Sequence, residues 1–402
     1  MRQSRDAENP VALLVRSGAR GDMDQIVQLG GMRGELADIG YRPLRPPVRR
    51  NYREGISPLE YYLGAHAARR SMCEKKLAVA PAGDFTRLMV EAAYPLVIAG
   101  EDCGGEKKGL FIHPFPGLDA LDFRGLRGLA QRLVGRVEVK TGEVIDEKRA
   151  QELEEEGEAV LVRSALLCGG EEKWGYGALC RKCYGWDLSR RDLPELGAPV
   201  GIVAAQSIGE RGTQLTMRTF HTGGAGGGAI IAGLPRMRRI FGNQEVGLSL
   251  YRVLDPGDCN LSKGELVDQW SLLLEAVRLK RGEALPEVRL EDKILLVRPE
   301  KVLKKGGLED FRTVLCYEAE GIYRGAVDEK HFEVVARALL VNGKELISIR
   351  RAPFGRPGFL AAASFQKALT VLADAALEGR CDELRGYKER LIVGKRMREG
   401  GA

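Results

Sequence analysis

Residues 197–224 read GAPVGIVAAQSIGERGTQLTMRTFHTGG. Small and apolar residues recur through the first half at helical spacing, so the stretch from 198 to 221 is expected to be a helix. Within it Gln214, Met217, Arg218 and His221 stand at i, i+3, i+4 and i+7, which places them on one face. That face carries an amide, a soft apolar group, a fixed cation and a group titrating near neutrality. A nucleoside triphosphate site can be built from something like this set. Met packs on a base, Arg pairs with phosphate, and His stabilises or protonates a leaving pyrophosphate. An ordinary polar helix face before a loop has the same spacing. Gly223 to Gly233 is expected to be a flexible Gly/Ala-rich run, in which glycines would let the preceding helix open and close as a lid.

Just upstream, Cys180-Arg181-Lys182-Cys183 forms a C-x-x-C knuckle, with Cys168 twelve residues before it and Cys103 in Glu101-Asp102-Cys103-Gly104-Gly105. Four thiolates in tetrahedral array suit Zn2+, and such a closed site is structural. Arg181 and Lys182 are expected to offset its negative charge. Buried apolar thiols at 103 and 168, or a redox pair at 180 and 183, are the other readings, but no thioredoxin-like context surrounds the knuckle.

Outward from these motifs, Ser57-Pro58 opens a helical pattern with Ser at the N-cap and Pro at the first position. It runs to Ala80, is interrupted at Pro81-Ala82-Gly83, and resumes from Phe85 to Ile98, either as two helices or as one long helix bent at the proline. Arg69, Arg70, Lys75, Lys76 and Arg87 are a solvated face or a stripe for a nucleic acid backbone. Met23 to Leu29 is a short amphipathic piece, and the three prolines of Tyr41–Pro47 make a linker or an extended edge. Gly21-Asp22-Met23-Asp24 offers too few carboxylates for Mg2+. Residues 136–167 read as strands around an acidic segment, residues 236–325 as β-rich, and Ala361–Leu377 as a helix.

The 402 residues suffice for two or three cores, and an apolar share of 44% excludes disorder as the main state. Apolar stretches such as Ala92–Gly100 are about half of what a bilayer helix needs. The opening MRQSRDAENP has no apolar core of a secretory signal. Eight cysteines are too sparse for a disulfide scaffold, and a net charge of +6 permits a polyanionic partner.

The longer strings SGARGDMDQIVQLGGMRGELA (17–37), GISPLEYYLGAHAARRSM (55–72), FTRLMVEAAYPLVI (85–98), EDCGG (101–105), CRKCYGWDLS (180–189) and AASFQKALTVLADAALEGRCDELRGYKERLIVGK (362–395), in this order with the opening stretch, closely resemble the C-terminal part of the β′ subunit of bacterial multisubunit DNA-directed RNA polymerase. The resemblance implies an α+β multidomain segment. Its parts would be the F-loop region at 1–54, the bridge helix at 55–98 and a β-rich zinc-binding region at 99–197. The trigger-loop region would follow at 198–243, then a diverged β-rich module at 244–330 and a conserved C-terminal segment at 331–402. It implies zinc ligation by Cys103, Cys168, Cys180 and Cys183. Trigger-helix roles fall to Met217, Arg218 and His221, with Gln214 on the sugar side, and Thr86 and Arg87 are placed near the template strand.

The implied reaction is nucleotidyl transfer, active only in a complex. The family's aspartate triad for catalytic Mg2+, in the motif NADFDGD, is absent from this sequence, so the chain is expected to be the second half of a split subunit or a fragment. The implied partners are the β subunit, the N-terminal β′ portion bearing that motif, α and ω subunits, a sigma-type factor, DNA, RNA and nucleoside triphosphates. The implied location is cytoplasmic at the nucleoid, or a plastid. A non-catalytic, zinc-stabilised nucleic-acid-binding or decoy protein is the rival reading.

Overall fold

The computed structural model describes residues 9–17, 19–21, 23–37, 43–105, 108–115, 126–218, 228–279, 283–323, 325–355, 358–384 and 386–395. The chain forms two compact units, Met1–Asp84 with Gly212–Pro235, and Phe85–Arg211 with Arg236–Ala402.

In the first unit, helix α1 (Pro10–Arg16) is capped by Asn9, whose side chain accepts from the Val11 amide at 3.0 Å. Helix α2 (Met23–Gly30) is the amphipathic piece expected from the sequence. Strand β1 (Gly34–Ala37) pairs antiparallel with β2 (Pro43–Val48), so the proline-rich stretch is the extended edge. Helix α3 (Pro58–Ala93), whose residues from Phe85 onward belong to the second unit, opens with a reciprocal capping box. The Glu60 amide donates to Ser57 Oγ at 3.3 Å, and the Ser57 amide donates to Glu60 Oε2 at 3.0 Å. Glu60 also accepts from the Arg49 and Arg50 amides. These donors, Ser57 first, hold its carboxyl at about 2. Leu36 and Val48 from the hairpin bury themselves with Ala67, and Leu63 joins them one helical turn earlier.

Helix α3 runs unbroken for 36 residues, about 54 Å, with Pro81 inside it. The expected interruption at 81–83 does not occur. Proline removes one amide donor, but the carbonyl it would have met belongs to Leu77, on an exposed turn where water serves as donor. The turns after it are held by tertiary packing of Ala82, Phe85, Leu88 and Met89.

In the second unit, β3 (Val97–Gly100), β4 (Leu110–Ile112), α4 (Leu129–Leu133), α5 (Glu147–Glu156) and β5 (Val160–Val162) follow. Strands β4 and β5 pair antiparallel. Ile112, Leu129, Leu133, Ile145, Ala150, Leu153 and Val162 form one core between them and the two helices. The acidic segment expected between strands is helix α5. Asp146 caps its start by accepting from the Arg149 amide at 2.8 Å, and Gly157 ends it at φ 69°. Its buried side is only Ala150 and Leu153. Helix α6 (Gly170–Trp174), strand β6 (Ala178–Cys180), parallel to β3, helix α7 (Arg181–Tyr184) and helix α8 (Val200–Arg218) come next.

Two further expectations are corrected. Gly228–Phe241 is helix α9 rather than the end of a flexible run; Met237, Ile240 and Phe241 bury its last turns. The region 236–325 is mixed rather than β-rich. Strands β7 (Val246–Asp255), β8 (Leu266–Asp268) and β9 (Glu287–Val297) make one antiparallel sheet in the order β8-β7-β9. Helices α10 (Gln269–Val277) and α11 (Pro299–Tyr323, broken at Gly307) account for the rest. Helix α12 (Glu329–Leu339) packs on α11. The helix expected over Ala361–Leu377 is two, α13 (Phe359–Phe365) and α14 (Ala368–Leu377), parted at Lys367 with φ 56°, and α15 (Tyr387–Ile392) follows.

A buried ionic lattice joins the start of this unit to its end. Arg136 clamps Glu333 with two bonds of 2.8 and 2.9 Å, and Arg312 reaches Glu333 at 2.8 Å and Glu329 at 2.7 Å. Arg132 donates to Glu329, and Ser164 Oγ to Glu333 at 2.7 Å. Burial alone would raise both carboxyls, but the facing guanidiniums hold Glu329 and Glu333 at about 2.

Candidate functional site

The parallel pairing of β3 with β6 sets Gly100 opposite Cys180, which brings the Cys103 loop to the C-x-x-C knuckle. Cys168 follows a 3-10 turn at Ala165–Leu167, whose start is capped by Ser164. The four cysteine sulfurs lie within 4.8 Å of one another, with Cys103 partly exposed and the other three buried. Cys103 and Cys183 sulfurs are 3.8 Å apart. A tetrahedron with Zn–S bonds of ~2.3 Å has edges of about 3.8 Å. Backbone amides point at the sulfurs, Cys180 N to Cys168 Sγ at 3.4 Å and Cys183 N to Cys180 Sγ at 3.3 Å. The donor set and its spacing are compatible with a structural zinc, and Cys103, Cys168, Cys180 and Cys183 are the residues that would hold it.

The long spacer between Cys168 and Cys180 is folded. Helix α6 occupies it, and the Trp174 indole lies where a side chain at position 100 would be, with a Cβ there falling 2.6 and 2.7 Å from two ring carbons. Only glycine fits at 100.

The charge compensation differs from the sequence expectation. Arg181 pairs with Glu101 at 2.6 Å and Lys182 with Asp102 at 3.0 Å. The cation at the sulfurs is Arg163, with its side chain only 3% exposed. Its Nη2 lies 3.2 Å from Cys103 Sγ, 3.3 Å from Cys183 Sγ and 3.6 Å from Cys180 Sγ. Sequence reading passed over Arg163 because it stands five residues before Cys168, outside every C-x-x-C spacing. Lys182 and Arg181, inside the knuckle, face outward.

Helix α8 carries the second candidate constellation. Its first half meets the last turns of α3 at Gly201 and Gly209, and Ala204, Ala205 and Ile208 on the same side are buried as well. A Cβ at Gly209 would stand 2.8 Å from Thr86 Cβ, with Thr86 Oγ1 and Cγ2 closer still. A Cβ at Gly201 would stand 2.7 Å from the Ala93 carbonyl carbon, with the carbonyl oxygen closer. Thr86 is thus the side chain on which α8 rests. Arg87 is tied elsewhere, donating to the Phe365 carbonyl at 3.2 Å with its guanidinium 5.6 Å from the Phe365 ring. Gln214 is partly buried in the later part of α8. Met217 and Arg218 are its last described residues, with side chains outside the described set, and His221 lies outside the described residues altogether. On α3, Arg69 and Lys76 are exposed, whereas the side chains of Arg70 and Lys75 are outside the described set.

Residues 55–263 match the family model for RNA polymerase Rpb1, domain 5, and residues 1–60 match that for domain 4. The first match spans α3, the four cysteines and α8. The chain belongs to the RNA polymerase Rpb1 family. Proteins named DNA-directed RNA polymerase subunit beta' align with nearly the whole chain. That of Thermoanaerobacter pseudethanolicus is 31% identical over 99% of the chain, that of Shouchella clausii 33% over 98%, and that of Bacillus subtilis 32% over 99%. The chain spans 38% of the length of each of these relatives, corresponding to the C-terminal part of the subunit. The alignment with the first runs over 472 positions, so the relatives carry insertions that this 402-residue Rpb1-family chain lacks. Among the described residues, no helix is long and apolar enough to cross a membrane.

Proposed function

We propose that this chain is the C-terminal β′ portion of a DNA-dependent RNA polymerase. In this reading α3 is the bridge helix and α8 with α9 the trigger-loop hairpin, and residues 1–54 form the F-loop region. The six segments delimited from the sequence are the working parts. The observation that carries the reading is the close seating of α8 on α3 at Gly201 and Gly209, in a chain whose Rpb1-family match covers both helices. A helix anchored at its first half can present Gln214, Met217 and Arg218 beyond the anchor, with His221 following in the sequence.

The reaction is attack of the RNA 3′-hydroxyl on the α-phosphate of a nucleoside triphosphate, releasing pyrophosphate. Closure places Met217 on the base and Gln214 toward the sugar. Arg218 lies along the phosphates, and His221 is beside the leaving pyrophosphate, where it stabilises or protonates it. Mg2+, which carboxylates on another part of the assembled enzyme would hold, would supply charge neutralisation of the phosphates. Cys103, Cys168, Cys180 and Cys183 would hold Zn2+, which would tie the loop after β3 to the knuckle. The partners are a β subunit, the polypeptide region bearing NADFDGD, α and ω subunits, a sigma-type factor, DNA and RNA. Work on template places the protein in the cytoplasm at the nucleoid, or in a plastid.

The test is single-nucleotide extension by the assembled complex. His221→Ala or Arg218→Ala should slow addition by on the order of a hundred-fold while assembly persists. Unchanged extension would remove the nucleotide-facing role, and a complex that binds template without extending at all would favour the decoy.

A further inference from the structure

The cation that faces the cysteine cluster is buried, and its surroundings are specific. Arg163 follows β5, and its amide donates to the Val137 carbonyl at 2.8 Å, which fixes the backbone at the base of the side chain. Its Nη2 sits within 3.2 to 3.6 Å of Cys103, Cys180 and Cys183 sulfurs and 2.8 Å from Asp102 Oδ1. Cys168 is not among these contacts, so the guanidinium lies over the face of the sulfur tetrahedron opposite Cys168. Asp102 is itself fixed, accepting from the Gly104 amide at 2.9 Å and pairing with Lys182 at 3.0 Å. Charges therefore alternate outward, from thiolates to Arg163 to Asp102 to Lys182. Four thiolates with one divalent ion carry a net charge of −2, and the interior of a protein tolerates that only with a nearby cation or hydrogen bonds. All four contacts are made by Nη2, so one end of a permanently charged guanidinium faces three sulfurs and a carboxylate together.

We infer that Arg163 is a positioning residue of the metal centre. It closes the Cys103–Cys180–Cys183 face, neutralises part of the thiolate charge and slows ligand exchange, so that the ion is retained when a chelator competes. This rests on the reading of the four cysteines as a zinc site. Asp102 holds the guanidinium in register, and Ser164, which follows Arg163 in sequence, bonds Glu333, so Arg163 and Ser164 join the metal centre to the buried ionic lattice.

The experiment uses the full 402-residue chain loaded with zinc, with metal content by elemental analysis and chelator-driven release followed with a metallochromic dye. Arg163→Met keeps the volume and removes the charge and donors. Release should speed up by roughly 10- to 100-fold, and Arg163→Lys should recover part of that. In the Co2+-substituted protein, Arg163→Met should shift the thiolate-to-cobalt charge-transfer band to longer wavelength, a change that a merely structural role would not produce. One ion per chain in both proteins with equal release rates and an unmoved band would overturn the inference. Wild-type chain that holds no zinc would overturn the zinc reading and this inference with it. Should Arg163→Met fail to fold, Asp102→Ala leaves the guanidinium in place without its anchor. Release faster by about tenfold would uphold the role, and an unchanged rate would overturn it.

Discussion

Replacing Gly209 by alanine should destabilise the second unit, against the direction helix propensity gives. Alanine in a helix interior is better than glycine by about 1 kcal/mol. At this position the new Cβ would stand 2.8 Å from Thr86 Cβ and closer to Oγ1 and Cγ2. Carbon atoms rest at about 3.5 to 4.0 Å, so α8 would have to withdraw from α3 by about 1 Å. Ala204, Ala205 and Ile208, fully buried on the same face, would lose contact together. Overpacking of this kind costs about 1–3 kcal/mol, more than the propensity gain, so the net sign is destabilising. Thr86→Ala in the same chain removes the two closest atoms and should recover part of the loss. Gly201→Ala should be worse and should not be rescued by any side-chain change, because the obstacle is the Ala93 carbonyl. Urea titration of the wild type, Gly209→Ala, Gly201→Ala and the Thr86→Ala/Gly209→Ala pair measures this as shifts in midpoint at constant slope. A Gly209→Ala protein as stable as the wild type or more so would refute the helix seating.

Other expectations follow from the same physical terms. Glu333→Ala leaves Arg136 and Arg312 buried without their carboxylate and should cost about 3–5 kcal/mol in denaturant titration. Acid should unfold the second unit in two stages. Burial holds His331 down at about 4, below its ordinary 6.5, so stability from keeping it neutral is full above about 6.5 and is lost as pH falls toward 4. Glu329 and Glu333, held at about 2 from an ordinary 4.5, add a further loss as pH falls from 4.5 toward 2. His331→Gln should flatten the first stage alone in a pH series of melting midpoints. Ser57→Ala breaks the capping box of α3 and should cost about 1 kcal/mol, seen as faster amide exchange in its first turn.

Several elements were legible from residue pattern alone, and their physical basis is local. The capped start of α3, the amphipathic α2, the helical pattern of α8 and the Cys180–Cys183 knuckle all depend on neighbours within a turn or a knuckle. The misread elements depend on distant partners. Helix α11 buries Arg312, Glu318 and Glu320, and α12 buries Glu329 and Glu333. A hydropathy pattern assigns such residues to the solvent side, whereas here each carboxylate has a guanidinium from another element. Arg236, for example, clamps Glu318 with two bonds of 2.6 Å. Pro81 misled in the opposite sense, since the bond it loses lies on an exposed turn while the turns after it are packed at Ala82, Phe85, Leu88 and Met89. Helix α5 was open to a closer reading, because Asp146 and Gly157 are ordinary cap residues at its two ends. Arg163 had no local signal, and its role exists only once β5 lies beside the knuckle.

The central claim is that this chain works as the β′ C-terminal portion of a polymerase. Affinity capture of the tagged protein at its native level, with mass spectrometry of everything bound, tests it most directly. A β subunit and a polypeptide region bearing NADFDGD should be recovered with it in equal amounts. Recovery with neither would contradict the account.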